Sequence, residues 1–207
     1  PGPLDGIRIV DFSVALTGPL AAGMLVDQGA DCIKVEQSPN GDLVRWLGTS
    51  IEGISSMFQI ANRGKRSATI DLQQDEGRAI ALDLVADSDV VVQNFRPGVA
   101  ERLGIAYADV AAVAPDVVYA DITGFGPTGP ASSRRVYDTA IQAASGLVAS
   151  QTGINDDEPR LLRQLIADKV TAYTACQAIT AALFARERGQ GGQHLELSML
   201  DACIAFL

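Results

Sequence analysis

Residues 7–36 read IRIVDFSVALTGPLAAGMLVDQGADCIKVE, and their pattern decides the fold class. The run 7–12 is short and apolar, as a buried strand requires. The stretch 18–30 is helical in character and is stopped by Gly29, and DCIKVE at 31–36 has the composition of a second strand. A strand, a helix and a strand in this order are typical of the β-α-β unit of a parallel sheet.

The same alternation continues along the first half of the chain. Strand-like runs recur as SATIDL (67–72), DVVVQNF (89–95) and DVVYADITGFG (116–126), and a helical pattern over 75–88 lies between the first two. The run 89–95 is continuously β-branched, which is typical of a strand covered on both faces. We therefore predict an α/β fold, a mostly parallel sheet with helices on both faces.

After residue 124 the composition becomes helical. The turn-rich GFGPTGP (124–130) is followed by a helical pattern over 137–148 and a polar loop over 150–160. A long, nearly uncharged helix is predicted from about Asp168 to Arg188, and QHLELSM (193–199) alternates apolar and polar residues as a further strand does.

Charge and composition restrict the partners. The 207 residues carry 16 Lys and Arg against 25 Asp and Glu, without a run of basic residues. Nucleic acids and anionic membranes are bound by clustered positive charge, so we expect neither as a main partner. The sequence has no apolar stretch of membrane-spanning length and no recognisable signal peptide.

The cysteines and the chain ends carry two further expectations. Cys32, Cys176 and Cys203 lie in apolar contexts without CxxC spacing, which favours buried free thiols in a reducing compartment. We therefore expect a cytoplasmic protein. The chain has no initiating Met and stops inside an apolar helical pattern, so we expect a piece of a longer protein.

Two common kinds of site do not fit this sequence. The one histidine, His194, has neither cysteine pairs nor GxSxG beside it, so we expect no metal site and no Ser-His-Asp triad. Glu36 ends the second strand where NAD-binding folds place an acid for the ribose. The preceding turn lacks GxGxxG, however, and Gly18 is followed by Pro19, so we expect no NAD.

Three turns lie where predicted strands end, SVALTGP (13–19), QNFRPGVAERLG (93–104) and TGFGPTGP (123–130), and local cations occur in several turns of this otherwise acidic chain. Ligands of open α/β sheets bind at the carboxyl ends of strands, and arginines there can hold a ligand with several phosphates. The candidate cations are Arg63, Lys65, Arg66, Arg96, Arg102, Arg134 and Arg135. Solvated turn charges are an equally good interpretation of the same pattern.

Asp168, in LIADKVTAY (165–173), has two interpretations. It can cap the long helix, which stabilises a protein by about 1 kcal/mol. It can also act as a nucleophile, because a helix N-terminus keeps a carboxylate ionised and the apolar flank excludes water. The sequence pattern leaves both open.

The ordered set of motifs resembles the class III CoA-transferases, the CaiB/BaiF type that includes formyl-CoA transferase, carnitine CoA-transferase and α-methylacyl-CoA racemase. The resemblance covers the whole chain and corresponds to the N-terminal half of such a protein. The motifs are PLDGIRIVDFS, GADCIKVE, NRGKRS, NFRPGVAERLG, YADITGFGPTGP, YDTAIQAASG, IADKVTAY and GQGGQHLELSMLDA.

The resemblance implies a Rossmann-like CoA-binding domain over 1–187, with 188–207 beginning the connection to the other half of the family fold. It also implies an interlocked homodimer of the full-length protein, coenzyme A or acyl-CoA and a carboxylic acid as substrates, and Asp168 as the catalytic residue. The CoA contacts it implies are Leu16, Thr17, Asn62, Arg63, Lys65, Asn94, Phe95, Arg102, Arg135 and Tyr137. Some relatives have arginine where this chain has Gln37, which puts one contact to the nucleotide in doubt.

One departure from the family pattern bears on the reaction. Racemases of the family pair the aspartate with a histidine in a GHD-like motif, but Tyr137 stands at that place here. Tyrosine, with an ordinary pKa near 10, is a poor second base, so CoA transfer is favoured. The alternatives are a 2-methylacyl-CoA racemase and a non-catalytic CoA-binding module.

Overall fold

The computed structural model describes residues 2–151 and 158–207, so part of the predicted loop 150–160 lies outside the described residues. The strands are β1 (Arg8–Asp11), β2 (Asp31–Glu36), β3 (Ser50–Ile51), β4 (Ile54–Ser55), β5 (Arg66–Thr69), β6 (Val90–Gln93), β7 (Val118–Thr123) and β8 (Gln193–Ser198). Strands β3 and β4 form a small antiparallel hairpin. The other six form one sheet in the order β5-β2-β1-β6-β7-β8, with every neighbouring pair parallel.

The α-helices are α1 (Thr17–Asp27), α2 (Ser56–Asn62), α3 (Asp75–Ala86), α4 (Val99–Leu103), α5 (Tyr107–Val113), α6 (Asp138–Ser145), α7 (Leu147–Ser150), α8 (Ile166–Ala185) and α9 (Met199–Phe206). Helices α1, α2 and α8 share one apolar core with the sheet. Helices α3, α4 and α5 share another core with its opposite face. The predicted α/β fold with helices on both faces is therefore confirmed.

The buried strand β6 shows how the two cores arise. Its valines alternate, so Val90 and Val92 enter the core beneath α1 and α8, while Val91 enters the core beneath α3 and α5. Successive side chains of a strand point to opposite faces, and a strand covered on both faces must therefore be apolar throughout. Burial on both faces therefore explains the continuous apolar run from which this strand was predicted.

Helix α8 begins two residues earlier than predicted. Leu165 precedes it in a left-handed conformation (φ 50°), and the α-helix ends at Ala185, before a π-helical turn over Arg186–Gln190. Arg186 continues the contact with the sheet, because its Nη2 lies 2.9 Å from Asp89 Oδ1 beside β6. Small residues such as Ala172 and Ala175 let α8 pack closely against α1.

Residues 193–206 belong to the same body as the preceding chain. Strand β8 pairs with β7 along its whole length, and α9 packs against α6 and α8. Residues on the two sides of the predicted boundary between 187 and 188 therefore pack together, and the boundary itself stays a prediction. That 188–207 lead to a second half stays a prediction.

Two findings concern the environment of the chain. None of the helices in the described residues is long and apolar enough to cross a membrane. Cys32, Cys176 and Cys203 are free and buried, as predicted. Burial raises the pKa of each of these thiols.

Candidate active site

The sheet has a topological switch point between β1 and β6. Counting only its six strands, the order is 3-2-1-4-5-6, so the chain leaves β1 toward one edge and β6 toward the other. A crevice opens where such connections diverge, and doubly wound folds bind ligands there. Asn94, just after β6, joins the two diverging turns: its side chain accepts from Val14 N–H and donates to Val14 O, both at 2.8 Å.

Asp168 of α8 contacts the residue that follows the β1–α1 turn. It lies in the first turn of α8, and its Oδ1 accepts a hydrogen bond from the hydroxyl of Thr17, the first residue of α1. Thr17 is buried and Asp168 is half-buried. Two residues 151 positions apart in the sequence are thus in direct contact.

The helix-cap interpretation of Asp168 is wrong, because α8 begins before it. The carboxylate that serves the helix end is Asp138, whose Oδ2 accepts from the Asp168 N–H at 3.0 Å. Asp138 begins α6 and is itself held by Gln142. The sequence does place an acid, Asp138, at the start of a helix. The backbone group that it holds, the Asp168 N–H, lies 30 residues further along the chain.

The electrostatic surroundings make Asp168 more basic than an ordinary aspartate. Burial raises its pKa, the Thr17 hydrogen bond lowers it, and the charge of Asp138 raises it, to about 6 in all. At neutral pH such a carboxylate is still mostly ionised. A more basic carboxylate is a better nucleophile, and perturbed carboxylates of this kind are common at functional sites.

A cavity of about 560 Å³ lies at the carboxyl ends of β1, β2, β5 and β6. It combines apolar walls with two guanidinium groups, a composition that suits a ligand with a ring system and phosphates. Phe95, Arg102 and Gln37, which the family resemblance singles out, line it. Sequence reasoning missed a further lining residue, Arg78, which is paired with Asp75 in the same helix.

The turn 62–65 makes contacts inside the protein, while its predicted contacts with coenzyme A stay a prediction. Lys65 is almost fully buried and its Nζ contacts Asp11 Oδ2 at 2.8 Å, Pro19 O at 2.7 Å and Asn62 Oδ1 at 3.0 Å. Burial alone raises the pKa of Asp11, but the charges of Lys65 and Lys34 outweigh it, and the pKa is lowered. The side chains of Asn62 and Lys65 therefore brace the turn after β1 from within.

The remaining cations are divided between pairs and open surface. Arg63 is paired with Asp27, and Arg66 with Asp31. Arg135 and Tyr137 are exposed, just before Asp138 in the chain. The structure thus brings Thr17 into contact with Asp168, places Leu16 and Asn94 at the same β1–α1 turn, and leaves Arg135 and Tyr137 exposed.

His194 lies away from Asp168. It is beside Tyr119 in the β7–β8 register and stacks on Tyr107 of α5, with ring centroids 4.5 Å apart. Tyr107 and Tyr119 belong to the core on the α3 and α5 face of the sheet, whereas α8 covers the other face. His194 and Asp168 are therefore on opposite sides of the sheet.

Among the described residues, no group of three or more His, Cys, Asp or Glu is arranged to hold a metal ion.

Comparison with known proteins agrees with this architecture. Residues 4–207 match the model of CoA-transferase family III. The acetyl-CoA:oxalate CoA-transferase of Acetobacter aceti is 40% identical over 207 residues, which are 100% of this chain and 53% of that protein. The succinate–glutarate CoA-transferase of Agrobacterium fabrum is 39% identical over 99% of this chain and 53% of its own.

A solved structure shows the same fold. The CAIB/BAIF family protein from Brucella suis superimposes with a TM-score of 0.92 at 40% identity, covering 99% of this chain and 55% of that one. The chain spans about half the length of the curated relatives it matches. With the family model matched over nearly all its residues, the chain belongs to CoA-transferase family III.

Proposed function

We propose that the full-length protein is an acyl-CoA:carboxylate CoA-transferase and that Asp168 is its nucleophile. The observation that carries the proposal is the contact of a half-buried, basic carboxylate with Thr17 at the end of the switch-point turn. That contact brings a nucleophile to the edge of the sheet where ligands of this fold class bind. The names of the two relatives, an acetyl-CoA:oxalate CoA-transferase and a succinate–glutarate CoA-transferase, support the reaction class.

The proposed chemistry is two successive acyl exchanges on Asp168. Its carboxylate attacks the thioester carbonyl of the donor, forms a mixed anhydride and releases CoA thiolate. The thiolate attacks the aspartyl carbonyl, which frees the donor acid and leaves an aspartyl-CoA thioester. The acceptor carboxylate attacks this thioester, and the released thiolate then takes the acceptor's acyl group, which restores the carboxylate.

The side chains around Asp168 orient its carboxylate for attack rather than change its charge. Carboxylates are weak nucleophiles, so the rate depends on alignment with the thioester carbonyl. The Thr17 hydroxyl fixes the direction of one carboxylate oxygen, and the Asp138 carboxylate fixes the backbone from which Asp168 projects. The pKa of about 6 keeps Asp168 ionised at neutral pH and raises its basicity above that of a surface aspartate.

We assign the 560 Å³ cavity to the nucleotide end of coenzyme A. Phe95 offers a ring for stacking, and Arg102 and Arg78 offer guanidinium groups for phosphates. We propose that the exposed side chains of Arg135 and Tyr137 also contact coenzyme A, which the family resemblance implies. As the family resemblance implies, we also propose that the full-length protein is a homodimer.

Racemisation is the main alternative, and it needs a second base. His194 is on the opposite side of the sheet from Asp168, so that base is not this histidine. Incubation with a 2-methylacyl-CoA in deuterium oxide separates the two activities, because a racemase incorporates deuterium at the α-carbon and a transferase does not.

The test of the proposed function uses the full-length protein and its Asp168→Asn variant. Acyl-CoA and a panel of small carboxylic acids are mixed, and the new acyl-CoA is measured by chromatography. We expect transfer by the wild type, and loss of transfer with intact CoA binding in the variant. Normal transfer by the variant contradicts the proposal, and CoA binding without turnover by the wild type favours a binding module.

A further inference from the structure

The turn between β1 and α1 is held along its backbone by side chains from four separate places in the sequence. Asp11 Oδ1 accepts from Ser13 N–H at 2.9 Å, and Lys34 Nζ donates to Ser13 O at 2.7 Å. Asn94 holds both backbone groups of Val14. Asp42 Oδ1 accepts from the Ala15 N–H at 3.1 Å.

These hydrogen bonds hold a residue in an unfavourable backbone conformation. Ala15 has φ +64°, a left-handed conformation that residues other than glycine rarely adopt. Such residues persist only where the surrounding structure dictates their conformation, and they concentrate at functional sites. Leu16 and Thr17 follow immediately, so the direction in which α1 presents the Thr17 hydroxyl is set at Ala15.

Two of the holding side chains form a buried ion pair. Lys34 Nζ lies 3.0 Å from Asp42 Oδ2, and each side chain is 1% exposed. Asp42 Oδ1 also accepts from Val44 N–H at 3.1 Å, which ties the pair to the 3-10 turn over Leu43–Trp46. A buried ion pair adds little net stability, because desolvation of two charges offsets their attraction. Its effect here is therefore to fix geometry.

We infer that Lys34 and Asp42 are positioning residues for the reaction of Asp168. Together they hold the turn 13–15 so that the Thr17 hydroxyl meets the Asp168 carboxylate. This inference rests on the proposed function, since it assumes that the orientation of Asp168 limits the rate. Neither residue is expected to touch the substrate, because both side chains are enclosed.

The test is the double substitution Lys34→Met/Asp42→Leu in the full-length protein. Removing both charges leaves neither unpaired, and apolar replacements of buried ion pairs are often tolerated. The matched control is Arg186→Met/Asp89→Leu, which removes another ion pair, at the amino end of β6. We measure kcat and KM for acyl-CoA, and we follow the Asp168 carboxyl by NMR of 13C-aspartate-labelled protein, assigned with Asp168→Asn.

In the double variant we expect kcat to fall at least about tenfold with KM changed less than about threefold, because misplacement of reacting groups by small distances costs this much or more. The Asp168 carboxyl should titrate at a higher pH than in the wild type, because it loses the Thr17 hydrogen bond. The control pair should leave both quantities near the wild-type values. Unchanged kcat and unchanged titration in the Lys34/Asp42 variant overturn the inference.

Two further arms keep the outcomes separate. If the double variant does not fold, Lys34→Gln/Asp42→Asn, which removes both charges and keeps an oxygen for the Ala15 N–H, is expected to shift kcat and the titration in the same directions by smaller amounts. Absence of any transfer by the wild type contradicts the proposed function alone. The NMR titration then still tests whether Lys34 and Asp42 position Thr17, since it needs no turnover.

Discussion

Replacing Asp168 by Asn should stabilise the full-length protein at pH 8 while it removes transfer. The pKa of Asp168 is raised from 3.8 to about 6 by folding, chiefly through burial, so the fold binds the protonated form more favourably than the charged one. Above pH 6 the charged carboxylate therefore destabilises the fold. Asn removes the charge and keeps an oxygen that accepts from Thr17.

The expected gain follows from the size of the pKa change. A difference of about two pKa units corresponds to about 3 kcal/mol at 1.36 kcal/mol per unit. Part of the side chain reaches solvent, so we expect about 2 kcal/mol in the free energy of unfolding at pH 8. The gain should shrink as the pH falls through 6, only a small part of it should remain at about pH 4, and it should vanish well below 3.8, where the unfolded aspartate is itself protonated.

Urea denaturation followed by circular dichroism at several pH values measures this gain. Asp83→Asn, at an exposed position of α3, is the control and should change the free energy of unfolding by less than about 0.5 kcal/mol at each pH. The reasoning is refuted if Asp168→Asn is no more stable than the wild type at pH 8. A gain of the same size at pH 8 and pH 4 refutes it equally.

Three other predictions follow from the site. Thr17→Val removes a hydrogen bond that lowers the pKa of Asp168, so the acid limb of the kcat/KM profile should move to higher pH, which initial rates between pH 5 and 8 would reveal. Arg102→Ala should weaken CoA binding about tenfold, because a charge-assisted contact to phosphate is lost. Calorimetry measures this affinity, and the control Arg8→Ala, at the amino end of β1, should leave it unchanged. Lys65→Met leaves a buried carboxylate unpaired and should lower the free energy of unfolding by roughly 3–5 kcal/mol in urea denaturation; a loss below 1 kcal/mol would show that the pair is not buried as described.

The strands were predictable because local pattern and burial agree. The continuous valines of β6 and the alternation in β8 reflect, respectively, a strand between two cores and an edge strand. The prediction for 67–72 overran, since β5 ends at Thr69, where its pairing with β2 ends at Glu36. The hairpin β3–β4 and helix α2 went unpredicted, because their residues show no clear period.

Contacts between distant residues were the part that the sequence could not supply. Lys65 lies in a polar turn with Arg63, yet one side chain is enclosed with Asp11 and the other lies at the surface with Asp27. The sequence gives the charge of a turn residue but does not say whether its side chain is enclosed or exposed. The helix end at Asp168 likewise depends on Asp138, and the buried pair of Lys34 and Asp42 leaves no local signature.

The most direct test of the account is the chemical state of Asp168 during turnover. The full-length protein is incubated with acyl-CoA, quenched with hydroxylamine, digested and analysed by mass spectrometry. We predict a hydroxamate on the peptide that contains Asp168, formed only when acyl-CoA is present. An unmodified Asp168 in protein that is turning over normally would contradict a covalent aspartyl intermediate.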